Sequence, residues 1–244
     1  MRPITTIEAL VLAACGAVVV AFTKQGSVLA AASGMVVAAA SIVGLGPAAL
    51  APLALFVLGG GTLTKFGSAR KRTMAAAEPN EGKRGARHVA AKLAIPALVA
   101  VVAGLTGLTR ELSVAFTAAL AGALADTAGT EIGPLGRGAA YGLQGGRLVR
   151  RPHGFAGAVS VAGLTATAAG GMAVAVAAIA SGLIHGVGLA AFAATAGFGA
   201  ALFESFIAGS AFGRALGHFG RNVFVSAVAT ALGLVAGFSM GGKP

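Results

Sequence analysis

Seven acidic side chains are spread over the 244 residues, and three of them sit where a carboxylate is hardest to keep. Asp126 and Glu131 fall late in one long apolar run, and Glu204 falls late in another. An ionised carboxylate at that depth in hydrocarbon calls for a partner or a purpose. The stretch Ala-Asp-Thr-Ala-Gly-Thr-Glu-Ile-Gly (125–133) carries the only aspartate of the chain and adds the hydroxyls of Thr127 and Thr130. Hard oxygen donors of this kind suit Mg²⁺ shared with substrate phosphates, which makes Asp126, Glu131 and Glu204 candidate metal ligands. Five residues separate Asp126 from Glu131, about 140° around an ideal helix, so the two share a face only if the helix unwinds between them. Gly129, Gly133 and Pro134 favour such a break, and irregular backbone at membrane depth is tolerated where it lines a cavity. The structural alternative is that these acids pair with Arg137, Arg147 or Arg214 and lock the bundle.

Groups able to hold phosphate lie nearby in sequence. Pro152 to Gly163 is a glycine-rich stretch, with Gly154, Gly157 and Gly163 around Ser160, preceded by Arg147, Arg150, Arg151 and His153. Glycines let backbone amides approach an anion, and a helix starting directly afterwards offers its positive end. No Gly-Lys-Ser/Thr follows, so this is not a Walker A loop. A second group is the basic segment 64–92, with Lys65, Arg70, Lys71 and Arg72 in one cluster and Lys83, Arg84 and Arg87 in another, then Lys92. Such clusters bind phosphates through charge-assisted contacts, or rest on lipid headgroups. Asn222 stands next to Arg221 at the start of the last apolar run. The four histidines and Cys15 show no metal-ligand spacing, no GxSxG elbow is present, and no nucleic-acid module accompanies the positive charge.

What must position these groups is a membrane bundle. The chain is 57% hydrophobic and 10% charged, too little charge to clothe a soluble domain of this size. Apolar runs approach the length of about 20 residues that crosses a hydrocarbon core. The pattern predicts an all-α polytopic bundle forming a single integral membrane domain over 1–244. About eight spans are expected, with seven to nine compatible, near 4–22, 27–45, 47–63, 93–109, 112–132, 156–184, 187–208 and 222–240. Basic loops fall at 64–92 and 133–155, the second rich in glycine. Small residues at four-residue spacing, as in Gly182/Gly186, Gly209/Gly213/Gly217 and Gly233/Gly237, predict close helix packing. Eight crossings place 15 of the 18 basic residues on one side. The positive-inside rule makes that side cytosolic, as in a bacterial-type inner membrane, with the candidate site there and both termini outside.

Four stretches taken together resemble a known family: 65–72 with 82–87, then 125–133, then Gly-Phe-Ala-Gly-Ala-Val-Ser-Val-Ala-Gly-Leu (154–164), then Ala-Leu-Phe-Glu-Ser-Phe-Ile-Ala-Gly (201–209) followed by Asn222. They are similar to the polytopic membrane family that includes the chloroplast phytyl-phosphate kinase of tocopherol synthesis and many uncharacterised bacterial and archaeal members, itself distantly similar to polyprenol kinases. The resemblance spans most of the chain after about residue 60. It implies a kinase that moves a phosphoryl group from CTP or another nucleotide to a membrane-embedded prenyl monophosphate, with Mg²⁺. It further implies that Asp126, Thr127, Glu131 and Glu204 form the acidic catalytic site. Lys65, Arg70, Lys71, Lys83, Arg84, Arg87, Gly154, Gly157, Ser160 and Asn222 would hold nucleotide and phosphates. The expected partners are the prenyl lipid, the nucleotide and membrane lipids, with room for a homo-oligomer and no nucleic acid. Two departures stand out. Glutamate occupies position 204 where the family usually has aspartate, and Phe155 follows Gly154 where threonine is common. The competing expectations are a transporter or lipid flippase using buried carboxylates in a broken helix, and a scaffold whose charges only set topology.

Overall fold

The computed structural model describes Glu8, Val11, Ala14 and residues 28–73, 86–144 and 146–240. Most of the expected first span, together with Cys15, Lys83 and Arg84, lies outside the described residues. The helices are α1 (Val28–Leu45), α2 (Leu50–Lys65), α3 (Ser68–Thr73), α4 (Ala86–Thr106), α5 (Thr109–Ile132), α6 (Val161–Ala180), α7 (Val187–Ala208) and α8 (Ala211–Met240). A 3₁₀ turn at Pro47–Ala49 leads into α2, and another at Gly133–Leu135 ends α5. Among the described residues seven helical segments are long and apolar enough to cross a membrane, matching the seven expected after the first.

One helix organises the others. The α5 segment is 89% buried inside the protein, whereas each of the other six candidate spans is buried over less than half of its length. Its sequence explains the position. From Ser113 to Thr130 it is built mainly of Ala, Gly, Ser and Thr, so neighbouring backbones can come close on every side. Each neighbour answers with a glycine of its own. A methyl group at Gly170 of α6 would stand 3.0 Å from the Leu124 carbonyl oxygen, at Gly197 of α7 2.5 Å from the Gly122 nitrogen, and at Gly233 of α8 2.7 Å from the Ala115 Cα. Gly237 meets the Glu111 backbone in the same way. The Gly233/Gly237 pair therefore packs as its spacing predicts. Gly182 and Gly186 do otherwise: they shape the turn between α6 and α7 with φ of 75° and 112°.

Two local departures from the expected layout matter for function. The segment expected as a basic loop over 133–155 folds into strands β1 (Ala140–Gln144) and β2 (Arg147–Arg151), and β1 also pairs with β3 (Val159–Ser160). The expected sixth span begins at Val161 because the preceding residues join this sheet. The last span begins at Ala211, eleven residues earlier than expected, with a sharp bend where Gly217 takes φ 62°. The two basic segments and the first part of α8, which carries Arg214 and Arg221, meet at one end of the bundle. Lys71 reaches the end of α5, Arg87 stacks on the Phe219 ring at 5.3 Å, and Gly157 packs against the Ser205 oxygen at the end of α7.

Glycine packing around α5 is open to a direct test. Gly197→Ala forces its methyl into the α5 backbone and should cost about 1–3 kcal/mol, read as a lower unfolding midpoint in detergent. Gly199→Ala, on the open side of the same helix, should leave the midpoint unchanged or raise it. Equal effects at both positions would contradict the packing described.

Candidate functional site

The acids late in α5 and α7 are each met by a cation from a different element. Lys92 enters from the first turns of α4 and places its Nζ 2.6 Å from Asp126 Oδ2 and 2.9 Å from Thr127 Oγ1, with a longer contact to the Ala123 carbonyl at 3.3 Å. Its three donors are thereby occupied. Ser226 of α8 donates to the Lys92 carbonyl, fixing α4 against α8 at the same depth. Lys71 behaves alike. The chain turns at Gly67 (φ 63°), α3 folds back, and the Lys71 ammonium donates to Glu131 and to the Leu63 and Thr64 carbonyls at the end of α2. Lys71 is 1% exposed. A fully satisfied buried lysine of this sort caps a helix end and neutralises a carboxylate.

The third pair differs. Arg221 Nε lies 2.9 Å from Glu204 Oε1, but without the alignment of a hydrogen bond, and the buried Nε–H has no other acceptor. Its Nη1 reaches the Ala208 carbonyl only at 3.5 Å. This guanidinium therefore keeps donor capacity that the two lysines have spent. An unpaired donor in a buried site is a strong demand for an acceptor.

All three carboxylates and Arg221 line one cavity of about 520 Å³. Residues Gly154 to Val159 form another part of its wall, with Thr130, Ser205 and His218 also among the lining. Gly154 and Gly157 adopt φ of 82° and 79°, which lets the loop curl into the cavity. Gly157 must lack a side chain, since a methyl there would stand 2.7 Å from the Ser205 oxygen. Ser160 stays behind the wall: it accepts from the Gly163 amide at 3.1 Å as the N-cap of α6 and donates to the Gly133 carbonyl at 3.0 Å. The serine thus ties the loop to the end of α5, and the α6 N-terminus opens beside the acids.

The expected helix break is absent. The α5 helix is continuous from Thr109 to Ile132, and Asp126 and Glu131 reach one cavity from different faces because the helix end is surrounded by α6, α7 and the loop. Gly129 serves packing instead, since Thr167 of α6 occupies the place a side chain would take. The structural alternative, in which these acids pair with basic side chains, holds with other partners: Lys92, Lys71 and Arg221 take the places suggested for Arg137, Arg147 and Arg214.

Other residues singled out in the sequence lie around this centre. Thr127 donates to the Ala123 carbonyl and accepts from Lys92, which makes it a positioning group. Asn222 is buried, with its amide 3.3 Å from His218 Nε2. Arg70 donates to the Leu135 carbonyl, Arg87 is taken up by Phe219, and Lys65 is exposed at the end of α2. Lys65, Arg70, Lys71 and Arg87 do not line the cavity. Lys92 and Arg221, visible in the sequence only as members of basic segments, and His218 join the site without being among its expected residues. A signal for Lys92 was present, because a lone lysine entering an apolar run needs a buried partner.

Among the described residues no group of three or more Asp, Glu, His or Cys side chains is arranged to hold a metal unaided. The three acids are therefore not a protein-only metal cage. Asp126 Oδ1 and Glu204 Oε2 take no part in the ion pairs, and the two carboxylates line the same cavity. That donor set fits a divalent ion completed by phosphate oxygens, since Mg²⁺ commonly takes only one or two carboxylates.

Residues 9–218 match the family described as integral membrane protein DUF92. No curated protein and no solved structure matches the chain.

The Lys92–Asp126 pair makes a clear prediction. Lys92→Met strands a buried carboxylate and should destabilise by roughly 3–5 kcal/mol, seen as a lower unfolding midpoint in detergent. Lys92→Met combined with Asp126→Leu should recover most of that loss. A double variant as unstable as the sum of the two single ones would show that the groups do not interact.

Proposed function

The chain belongs to the DUF92 family of integral membrane proteins, and on that premise we propose that it is a nucleotide-dependent kinase acting on a prenyl monophosphate at the membrane surface. The observation that carries the reading is the cavity itself: Asp126, Glu131 and Glu204 share it with one incompletely engaged arginine and a glycine loop at a helix N-terminus. The resemblance to the family of the chloroplast phytyl-phosphate kinase supplies the substrate class, a prenyl monophosphate such as phytyl phosphate, and CTP as the donor.

The charge balance favours this chemistry. Each acid is countered by one cation, so the cavity is close to neutral before anything enters. A bare polyanion would gain little there from net charge. A phosphate arriving with Mg²⁺ gains from both kinds of group, the metal from Asp126 and Glu204 and the anion from Arg221 and from loop amides other than those of Phe155 and Ala158, which are bonded within the loop. Asp126 and Glu204 would hold Mg²⁺, whose positive charge would offset the charge that develops during transfer. Arg221 would orient the phosphates, and the protein walls would exclude competing water. An oxygen of the acceptor phosphate attacks the terminal phosphorus of the nucleotide, the bond to the bridging oxygen breaks, and the nucleoside diphosphate leaves. The acceptor is already an anion, so no proton need be removed from it. A substrate whose tail lies in lipid presents its phosphate at the depth of these residues, and a nucleotide would approach from the basic, cytosolic side.

The runner-up is a transporter or flippase. Its motivating feature is buried carboxylates in a broken helix; the carboxylates are buried, but α5 runs unbroken past them. The kinase is accordingly the better reading.

Purified protein given Mg²⁺, CTP and phytyl phosphate should form phytyl diphosphate. Each of Asp126→Asn and Arg221→Gln also breaks a buried ion pair, so turnover is read on the protein that stays folded, where kcat should fall on the order of 100-fold or more. The proposal is refuted if folded protein yields no diphosphate with any of the common nucleotides and a series of prenyl monophosphates.

A further inference from the structure

The β1–β2 hairpin has two unlike faces. Its register sets Tyr141 opposite Arg150 and Leu143 opposite Leu148, and directly opposed residues share a face. All four are exposed, Tyr141 at 50% and Leu148 at 66%. The opposite face looks into the protein: a methyl at Gly142 would stand 2.9 Å from the Gly157 carbonyl oxygen, and Arg151 stacks on the Phe155 ring at 4.8 Å. The inner face thus supports the loop that walls the cavity, while the outer face presents three large apolar or aromatic groups beside arginine.

We propose that this outer face rests on the bilayer surface and is held there by anionic lipid headgroups. Three observations select that occupant. The sheet hangs from two membrane helices, since β3 runs into α6 at Val161 without a gap and β1 begins soon after α5 ends. It therefore sits where hydrocarbon gives way to headgroups. The charge there is of one sign: Arg137, Arg147 and Arg150 are exposed, and the sequence holds no acid between Glu131 and Glu204. Tyr141, the only tyrosine of the chain, is amphipathic, as are interfacial aromatics generally. A second copy of the chain is a poor match, because two such faces would bring arginines together. Headgroup phosphates meet the arginines, and the boundary region takes up Tyr141, Leu143 and Leu148.

The chain has no tryptophan, so a single one makes a clean reporter. Leu148→Trp in the full-length protein is placed in nanodiscs of phosphatidylcholine with or without phosphatidylglycerol. Its emission should shift to the blue, resist aqueous acrylamide and be quenched by lipids brominated near the headgroup, most strongly in the anionic discs. Replacing Arg150, the arginine on the docking face, by glutamine should shift the docked-to-undocked ratio about fivefold, and the same change at Arg147, which pairs with Gln144 on the other face, should shift it less. Acrylamide quenching of the intrinsic Tyr141 emission reports shielding, though not a polarity shift, without any substitution. Emission that stays accessible to acrylamide in both lipids overturns the proposal. So does shielding that appears only when two chains share a disc, which would mark a protein partner. Neither result depends on whether the chain is a kinase.

Discussion

A charged side chain at membrane depth must find an opposite charge, and much of this structure is arranged around that requirement. Asp126, Glu131 and Glu204 are met by Lys92, Lys71 and Arg221, each from a different helix. Lys92 ties α4 to α5, Lys71 folds α3 back onto the ends of α2 and α5, and Arg221 ties α8 to α7. The bond pattern therefore fixes which helix ends meet, and it fixes them at one end of the bundle. Small side chains do the complementary work along the rest of α5, where close backbone contact takes the place of hydrophobic driving force.

The pairs are not equivalent, and the difference separates structure from chemistry. Lys71 and Lys92 use all their donors within the protein. Arg221 does not, and it is the cation that borders the cavity. Guanidinium suits that place, since it stays charged and presents a planar set of donors to phosphate. The second carboxylate oxygens of Asp126 and Glu204 complete the contrast. On the proposed reading they supply the negative donors for the metal that accompanies the anion.

Much of the architecture was legible in the sequence because hydrocarbon leaves few choices. Apolar runs of span length and the clustering of basic residues between them are enough to place seven helices and to gather three loops at one end. The acids were legible for the same reason, being conspicuous in runs of alanine. Their partners were less so. Arginines at 137, 147 and 214 are nearer to the acids in sequence than Lys71 or Lys92, yet the fold brings the distant lysines in from α3 and α4. Gly129 misled because glycine carries two meanings in a membrane helix, a break or a close contact, and only the position of Thr167 decides between them. The hairpin was missed although its signal is local. Tyr-Gly-Leu-Gln and Arg-Leu-Val-Arg flank a Gly-Gly pair, and a two-residue glycine turn between alternating segments favours a β-hairpin over a loop.

The central claim is that phosphates and a divalent ion share the cavity between α5, α7 and the glycine loop. An experimental density map of the protein in nanodiscs, with Mg²⁺ and a non-hydrolysable nucleotide, tests it most directly. The account predicts phosphate density within hydrogen-bonding reach of Arg221 and the Gly154–Gly157 backbone, and a metal touching Asp126 or Glu204. Nucleotide bound instead along Lys65 to Arg72, with all three ion pairs intact and only lipid in the cavity, would contradict it.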